Sequence, residues 1–181
     1  HGSMAAVPEQ AAGRLHHLQS LEHSFVCRMG EEVGNRVVLS IFRAASRVGD
    51  WPLSVVVGLL LWVSHGTRVM LIWTAVSVSA VALQTGLKRL CARLRPCERP
   101  DGPPQRAPVP DKGSFPSGHT LHAVMAALVI LHLLPVLAIP FVVVALLVAA
   151  SRVVLGVHYP SDVAAGASMG LIFGSIVSIN V

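Results

Sequence analysis

The chain has 181 residues, of which 53% are hydrophobic and only 13% are charged. Soluble globular domains carry about 25% charged residues, so the composition excludes an ordinary soluble domain and predicts one integral membrane domain. The net charge of +5 is not read as a nucleic-acid signal, because the cations flank apolar runs, which favours lipid headgroups, phosphate and control of membrane topology.

The N-terminal segment differs in character from the rest of the chain. His1-Gly2-Ser3 precedes Met4 and resembles a tag remnant, so residues 1–3 are excluded and residues 4–50 are taken as the N-terminal segment. Within it, apolar residues recur at three- and four-residue spacing from Val33 to Ala45, with arginines between them. This pattern predicts an amphipathic helix lying in the membrane interface, and packing of that helix on the bundle is the alternative.

Residues 51–181 are predicted to form the transmembrane domain. Asp, Glu, Lys and Arg are absent from 51–67, 69–87, 120–151 and 163–181. A helix needs about 20 apolar residues to cross the hydrocarbon layer. The third stretch is therefore too long for one span, and Pro135 and Pro140 divide it into two. The sequence predicts an all-α integral membrane bundle with about five transmembrane helices.

The polar loop 91–118 contains seven of the twelve prolines, which make it stiff and extended. A loop of this length in a small domain is typically functional or disordered. If the helix holding Cys91 continues to Pro96, Cys97 lies about 9 Å further along, which is beyond the reach of a disulfide. We expect Cys27, Cys91 and Cys97 to be free thiols.

The first cluster of polar residues able to bind phosphate lies at the start of this loop. Lys88 and Arg95 are about two helical turns apart, so both project from one face and can converge on one anion. Pro96 lets the chain leave the helix. Taken alone, the pair fits a basic stop at the membrane edge equally well.

The second cluster is Pro116-Ser117-Gly118-His119, directly before an apolar helix. Ser117 is a natural N-cap, and the first amides of that helix can bind phosphate. Gly118 allows an anion to approach the backbone, and His119 then stands beside that anion as a proton donor. Taken alone, ordinary capping also explains this cluster.

The third cluster contains Arg152, His158 and Asp162. Arg152 ends a charge-free run and is therefore held near the membrane face. Asp162 falls in the first turn of the last helix, where a carboxylate suits the helix dipole. It can accept a hydrogen bond from His158, which would make the histidine a better nucleophile or base. A lone His–Asp pair is more often structural.

With five spans, all three clusters lie at helix ends on one face of the membrane. Independent structural explanations would have to agree on that face by accident, so the coincidence favours one phosphate site. Gln84 and His122 lie one turn from Lys88 and His119 and are further candidates for the pocket wall. Helix packing is the better explanation for His122.

These residues resemble the three-part signature of the type 2 phosphatidic acid phosphatase family, whose members are membrane lipid phosphatases related to haloperoxidases. The resemblance covers residues 88–162 and rests on a set in matching order and spacing: Lys88, Arg95-Pro96, Pro116-Ser117-Gly118-His119, Ser151-Arg152, His158 and Asp162. Larger members of that family have six spans, so the role of residues before about 50 is left open.

The resemblance implies a two-step mechanism without a metal or another cofactor. His158 attacks phosphorus to form a phosphohistidine, His119 protonates the leaving oxygen and then activates water, and Asp162 orients His158. The groups implied to hold the phosphoryl oxygens are Lys88, Arg95, Arg152, Ser117 and the Gly118 amide. Phosphoryl transfer depends mainly on positioning and charge stabilisation, which these groups can supply.

We therefore expect a hydrolase that dephosphorylates a membrane lipid phosphate or diphosphate, with polyprenyl diphosphate and phosphatidylglycerophosphate as leading candidates. A phosphotransferase that passes the phosphoryl group to another lipid is the alternative. An inactive scaffold is disfavoured because it needs none of these residues together. Membrane lipids are the expected partners, and nucleic acid is not.

The distribution of cations predicts the orientation in a cell membrane, which the small size suggests is the bacterial inner membrane. Thirteen of the fourteen Lys and Arg residues lie on the predicted catalytic side, and only Arg68 lies on the other. The positive-inside rule then places the catalytic face in the cytoplasm. The family resemblance favours the outer face instead, because many bacterial members act there.

Overall fold

The computed structural model describes residues 9–49, 51–109, 111 and 113–181, and these residues form seven α-helices and no strand. The helices are α1 (Glu9–Glu32), α2 (Arg36–Val48), α3 (Trp51–His65), α4 (Thr67–Cys91), α5 (Gly118–Leu133), α6 (Ala138–Val154) and α7 (Pro160–Ile179). Short 3-10 turns occur at Pro96–Glu98 and Pro135–Leu137. The predicted all-α class is confirmed, while the predicted tag remnant at residues 1–3 lies outside the described residues.

Helix α5 is the centre of the bundle. It packs against α7, α6 and α3, and its apolar residues face inward around much of its circumference, as expected for a helix surrounded by others. Trp73 of α4, Met125 and Ile130 of α5, and Val148 of α6 belong to one apolar core. The N-terminus of α5 is thereby held inside the bundle, at the end where the polar loop arrives.

The prolines and one glycine set the helix boundaries. Helix α5 ends at Leu133, Pro135 opens the 3-10 turn, and α6 follows. The predicted division at Pro135 is confirmed, whereas Pro140 lies in the first turn of α6, where no intrahelical donor is lost. Gly66 alone separates α3 from α4 and has a φ of +83°, a conformation that favours glycine.

Length and hydropathy identify three candidate membrane spans among the described residues: Thr67–Glu98, Pro135–Val154 and Pro160–Ile179. Helices α2 and α3, bent by 54° between them, give a fourth if they act as one broken span. Helix α5 is apolar but has only 16 residues, a length of about 24 Å against a hydrocarbon layer of about 30 Å. The predicted number of five spans stays a prediction.

The N-terminal segment contains two helices, of which the sequence predicted one. Helix α2 covers most of the predicted amphipathic segment and packs against α6, which is the alternative placement. Its location in the membrane interface stays a prediction. Helix α1, with 24 residues, was not predicted. The three cysteines are free thiols, as expected.

Candidate active site

Four helix ends meet at one end of the bundle. Lys88 lies in the last turn of α4, His119 in the first turn of α5, Arg152 in the last turn of α6 and Asp162 in the first turn of α7. The first three of these line a pocket of about 210 Å³, and Asp162 lies behind it. The lining residues are Gly49, Val81, Gln84, Thr85, Lys88, Arg95, Asp111, Gly118, His119, His122, Arg152 and His158. The three clusters that are separate in sequence therefore contribute to one pocket.

The backbone around His158 fixes its side chain at the base of this pocket. The amide groups of Val157 and His158 both donate to the Arg152 carbonyl, at 3.2 Å and 3.1 Å. Gly156 makes this tight reversal possible because its φ is +72°, which a residue with a Cβ rarely adopts. His158 is only 1% exposed, so its ring position is set by the chain on both sides.

The two ring nitrogens of His158 face different partners. Arg95 Nη1 lies 3.1 Å from Nε2, and Asp162 Oδ2 lies 3.6 Å from Nδ1, which is an ion-pair distance and longer than a hydrogen bond. A guanidinium can only donate, so Nε2 accepts, and in the neutral ring the proton is on Nδ1, facing Asp162. The lone pair of Nε2 is therefore directed toward the cation-lined pocket.

Burial lowers the pKa of His158 to about 4. The neighbouring charges of Arg152 and Arg95 act in the same direction, while Asp162 opposes them. The imidazole is consequently neutral near pH 7, the form in which a ring nitrogen can act as a nucleophile.

Three buried cations line the pocket, and each has an anionic or polar neighbour. Lys88 and Arg95 both contact the carboxylate of Asp111: Lys88 Nζ donates to Oδ2, and Arg95 Nη2 donates to Oδ1 at 2.7 Å. Arg152 Nη1 donates to the Ser46 hydroxyl of α2. Asp111 thus bridges two groups that were predicted to hold a phosphate, and the sequence analysis did not anticipate it.

Ser117 and Gly118 occupy the predicted start of α5, and the approach of an anion to Gly118 stays a prediction. The expected side-chain cap is wrong: the Ser117 hydroxyl lies 3.0 Å from Thr120 Oγ1 and caps no amide. The backbone amide of Ser117 donates to the Asp162 carbonyl at 3.0 Å, and Ser117 is not among the residues that line the pocket. A Cβ at Gly118 would lie 2.3 Å from Gln84 Nε2, so the absence of a side chain there lets the Gln84 amide pack against the start of α5.

Arg93 contacts Asp162, although it is not part of the three sequence motifs. Its Nη1 donates to Asp162 Oδ1 at 2.7 Å, and its Nη2 donates to Glu22 Oε2 of α1 at 2.8 Å. Among the described residues, no group of three or more His, Cys, Asp or Glu side chains is arranged to hold a metal ion. The pocket is lined by groups that can donate to an anion, namely the ammonium of Lys88 and the guanidinium groups of Arg95 and Arg152.

A pocket arranged to surround a phosphate at one end of an apolar helical bundle defines the class of integral membrane phosphatases. The sequence matches the PAP2 superfamily over residues 68–181, and the chain belongs to this superfamily. It is a multi-pass membrane protein, and the predicted family is confirmed.

Curated relatives and solved structures agree with this assignment. The chain is 35% identical over 150 residues to decaprenylphosphoryl-5-phosphoribose phosphatase of Mycobacterium tuberculosis, covering 77% of this chain and 78% of that protein. It is 41% identical over 68 residues to lipid A 1-phosphatase of Rhizobium johnstonii, covering 36% of this chain and 27% of that protein.

The fold is similar to that of the PAP2-type phosphatidylglycerolphosphate phosphatase of Bacillus subtilis, with a TM-score of 0.74 and 26% identity over 91% of this chain and 86% of the other. Aquifex aeolicus LpxE gives a TM-score of 0.73 at 24% identity over 87% of this chain and 94% of the other, a likeness of fold. Both comparisons cover at least 87% of this chain, so most of the bundle has counterparts of known structure.

Proposed function

We propose that this protein hydrolyses a membrane lipid phosphate or diphosphate through a phosphohistidine on Nε2 of His158. The observation that carries the proposal is the placement of this ring between Arg95 and Asp162. Arg95 donates to Nε2 from within the pocket and can transfer this donor to an arriving phosphoryl oxygen, which frees the lone pair, while Asp162 favours the proton on Nδ1. Neutral imidazole at this position supports the role of nucleophile.

In the first step, the Nε2 lone pair forms a bond to phosphorus while the bond from phosphorus to the lipid oxygen breaks. His119 gives a proton to that leaving oxygen. In the second step, His119 takes a proton from water, the water oxygen attacks phosphorus, and the N–P bond breaks to release phosphate and His158. Lys88, Arg95 and Arg152, with the amide of Gly118, stabilise the charge on the phosphoryl oxygens.

An apolar cavity supports a lipid as the substrate. Its volume is about 540 Å³, it lies between α3 and α4, and Val81 and His122 line both this cavity and the catalytic pocket. Gly58, Leu59 and Trp73 provide much of its apolar wall. If the phosphate group of a lipid occupies the pocket, the hydrocarbon chain of that lipid would lie in this cavity. Its apolar surface would there be shielded from water and headgroups.

The relatives narrow the lipid class without deciding between its members. The Mycobacterium and Bacillus proteins are named for a decaprenyl-linked and a glycerol-linked phosphate, and both are candidate substrate types for this chain. The catalytic face is proposed to be cytoplasmic in a bacterial inner membrane, on the basis of the positive-inside bias. Arg43 of α2 donates to the loop at Arg106, and Arg106 donates to the N-terminal segment at Val33. These contacts support placing both cations at the catalytic end.

The proposal is tested by measuring phosphate release from a panel of purified lipid phosphates and diphosphates in detergent. His158→Ala should abolish turnover of every substrate while the protein still folds, because no other group replaces Nε2. His132→Ala, at the opposite end of α5, is the matched control and should retain activity. Phosphate release by folded His158→Ala would remove this residue from the role of nucleophile.

His119→Ala separates the acid role from binding. The loss should be larger for a lipid phosphate, whose alkoxide leaves poorly, than for an activated aryl phosphate. Equal losses would contradict the acid role. Analysis of the products decides between hydrolysis and transfer, since transfer would produce a phosphorylated acceptor lipid in place of free phosphate.

A further inference from the structure

Arg93 lies in the loop after α4, two residues before the predicted phosphate ligand Arg95, and its side chain is directed away from the pocket. Nη1 donates to Asp162 Oδ1 and to the Ser161 hydroxyl, each at 2.7 Å. Its guanidinium carbon lies 4.1 Å from the centroid of the Tyr159 ring. These contacts hold the guanidinium against the start of α7, behind the histidine and not beside the substrate.

The contacts of Asp162 show what Arg93 contributes. Oδ2 accepts from the Tyr159 amide at 2.8 Å and faces Nδ1 of His158 at 3.6 Å, while Oδ1 accepts from Arg93. The carboxylate is fully buried, so it requires a compensating positive charge. Arg93 supplies that charge and, by engaging Oδ1, fixes the plane of the carboxylate so that Oδ2 faces the histidine.

Glu22 of α1 completes this arrangement from the other side. Its Oε2 accepts from Arg93 Nη2 at 2.8 Å and from the Ser161 hydroxyl at 2.9 Å, and its Oε1 accepts from the Ser161 amide at 2.7 Å. Glu22 therefore binds both the guanidinium and the N-terminus of α7, where a carboxylate is favoured. It lies well before the region that matches the PAP2 superfamily, residues 68–181.

We propose that Arg93 is a positioning residue for the His158–Asp162 pair and that Glu22 holds Arg93 in place, so that helix α1 completes the catalytic site. The inference rests on the proposed role of His158 as nucleophile. Arg93 and Glu22 do not line the catalytic pocket, so both act through Asp162 and neither contacts the phosphate.

This role predicts a specific kinetic signature. Without Arg93, the Asp162 carboxylate can rotate about its side-chain bonds and the Nδ1-protonated form of His158 loses its fixed partner. We expect Arg93→Gln to lower kcat by about ten- to a hundredfold with KM nearly unchanged, as for misplacement of a catalytic group. The inhibition constant for vanadate should change little, because the phosphate ligands are untouched. Arg93→Lys keeps the charge but loses the two-nitrogen fork that joins Asp162 to Glu22, so its kcat should lie between those of the parent protein and Arg93→Gln.

The decisive measurement is a double-mutant cycle with Asp162→Asn, using an aryl phosphate in detergent. If Arg93 acts through Asp162, then Arg93→Gln has little further effect once Asp162→Asn is present. A residue that only ties α1 to the bundle would give losses that multiply. Glu22→Gln should likewise lower kcat, and its effect should largely disappear in the Arg93→Gln background.

Matched controls are available on the same elements. Arg89→Gln, at an exposed position of α4, and Glu31→Gln, at an exposed position of α1, should both leave kcat unchanged. Thermal melting identifies any variant that fails to fold, and Arg93→Lys and Glu22→Gln then carry the test. Normal kcat in folded Arg93→Gln, multiplying losses in the cycle, or a raised KM at unchanged kcat would each overturn the proposal. His158→Ala is assayed in parallel: if it keeps turnover, the proposed function fails, whereas an inactive His158→Ala beside a normal Arg93→Gln overturns only the positioning role.

Discussion

At the scale of single residues, the ring of His158 combines two environments with opposite effects on its proton. Burial and two nearby guanidinium groups favour the neutral form, while Asp162 favours the protonated form. The net result is a pKa of about 4. The neutral imidazole, which the proposed nucleophile requires, therefore exists above that pH and is lost as the pH falls through it.

This balance predicts the acid limb of the pH profile. For an aryl phosphate whose own ionisation is known, log kcat/KM of the free enzyme should fall only below about pH 5, and not near the ordinary histidine value of about 6.5. The profile is measured between pH 4 and 8, as rough bounds set by these values, and corrected for the substrate. A limb near pH 6.5 that does not follow the substrate would contradict the neutral buried imidazole.

Asp111 predicts a second residue-scale effect, on anion affinity. Its carboxylate contacts both Lys88 and Arg95, so an incoming phosphoryl group must compete with it for these cations. Asp111→Asn removes the competing charge and should tighten vanadate inhibition several-fold, about 1 kcal/mol. The control is Asp101→Asn in the same loop, whose carboxylate pairs with Arg99 and His23 outside the pocket. Unchanged or weaker inhibition in Asp111→Asn would show that Asp111 does not occupy the anion site.

The sequence was sufficient to predict the histidines and cations of the pocket, but not the residues that hold them in position. The histidines and cations could be predicted because charged groups near lipid are costly and need a reason. Glu22 and Arg93 could not, because they are 71 residues apart and each alone resembles a solvated charge. The Ser117 hydroxyl was misjudged because its partner is the hydroxyl of Thr120, three residues further along, and not a backbone amide of that turn.

At the scale of elements, the contact between α5 and α7 holds together His119 and His158, the two histidines proposed to be catalytic. Three glycines of α7 are spaced by four residues and face α5, which lets the backbones approach closely. A Cβ at Gly166 would lie 2.3 Å from the Ser117 carbonyl oxygen, and one at Gly170 would lie 2.5 Å from that of Leu121. The hydrogen bond that the Ser117 amide donates to the Asp162 carbonyl also joins these two helices.

Substitution at this contact should therefore damage both stability and activity. Gly170→Ala forces a methyl group into a backbone oxygen, so we expect a loss of about 1–3 kcal/mol in the free energy of unfolding and a fall in kcat, measured by thermal melting and phosphate release. Gly86→Ala is the matched control, because nothing lies within 4 Å of a Cβ at that position of α4. It should be neutral or stabilising by up to about 1 kcal/mol. A Gly170→Ala variant as stable and active as Gly86→Ala would show that the helices can separate at no cost.

The helices also differ in how well sequence patterns predicted them. Apolar runs and prolines located α3 to α7, because hydrophobicity and the loss of a backbone donor act locally. Helix α1 was missed because its residues are largely polar and several of its contacts, including that of Glu22, are made with distant parts of the chain. The glycine spacing in α7 was present in the sequence but indicates a contact only once the partner helix is known.

At the scale of the whole molecule, charge is distributed unevenly between the two ends of the bundle. Arg43 donates to the carbonyl of Arg106 at 3.0 Å, and Arg106 donates to that of Val33 at 3.3 Å, so the N-terminal helices and the polar loop gather cations at the catalytic end. At the opposite end, Arg68 follows the turn at Gly66, and the turn at Pro135–Leu137 carries no charge. Under the positive-inside rule, this distribution supports the proposal that the pocket faces the cytoplasm.

Thiol labelling of intact spheroplasts tests this orientation. Cys91 ends α4 at the catalytic end and is exposed, whereas Cys27 and Cys97 are partly buried, so a Cys27→Ser, Cys97→Ser background leaves one accessible thiol. A membrane-impermeant maleimide should label it only after permeabilisation, since a cytoplasmic pocket keeps Cys91 behind the membrane.

The matched control is Val136→Cys in a background that also carries Cys91→Ser. Val136 is 92% exposed in the turn at the opposite end, so this thiol should be labelled from outside. Rapid labelling of Cys91 in intact cells, with Val136→Cys protected, would reverse the orientation. The pocket would then serve lipid phosphates of the outer leaflet, and the cations at that end would be explained by binding to substrate and headgroup phosphates instead of by topology.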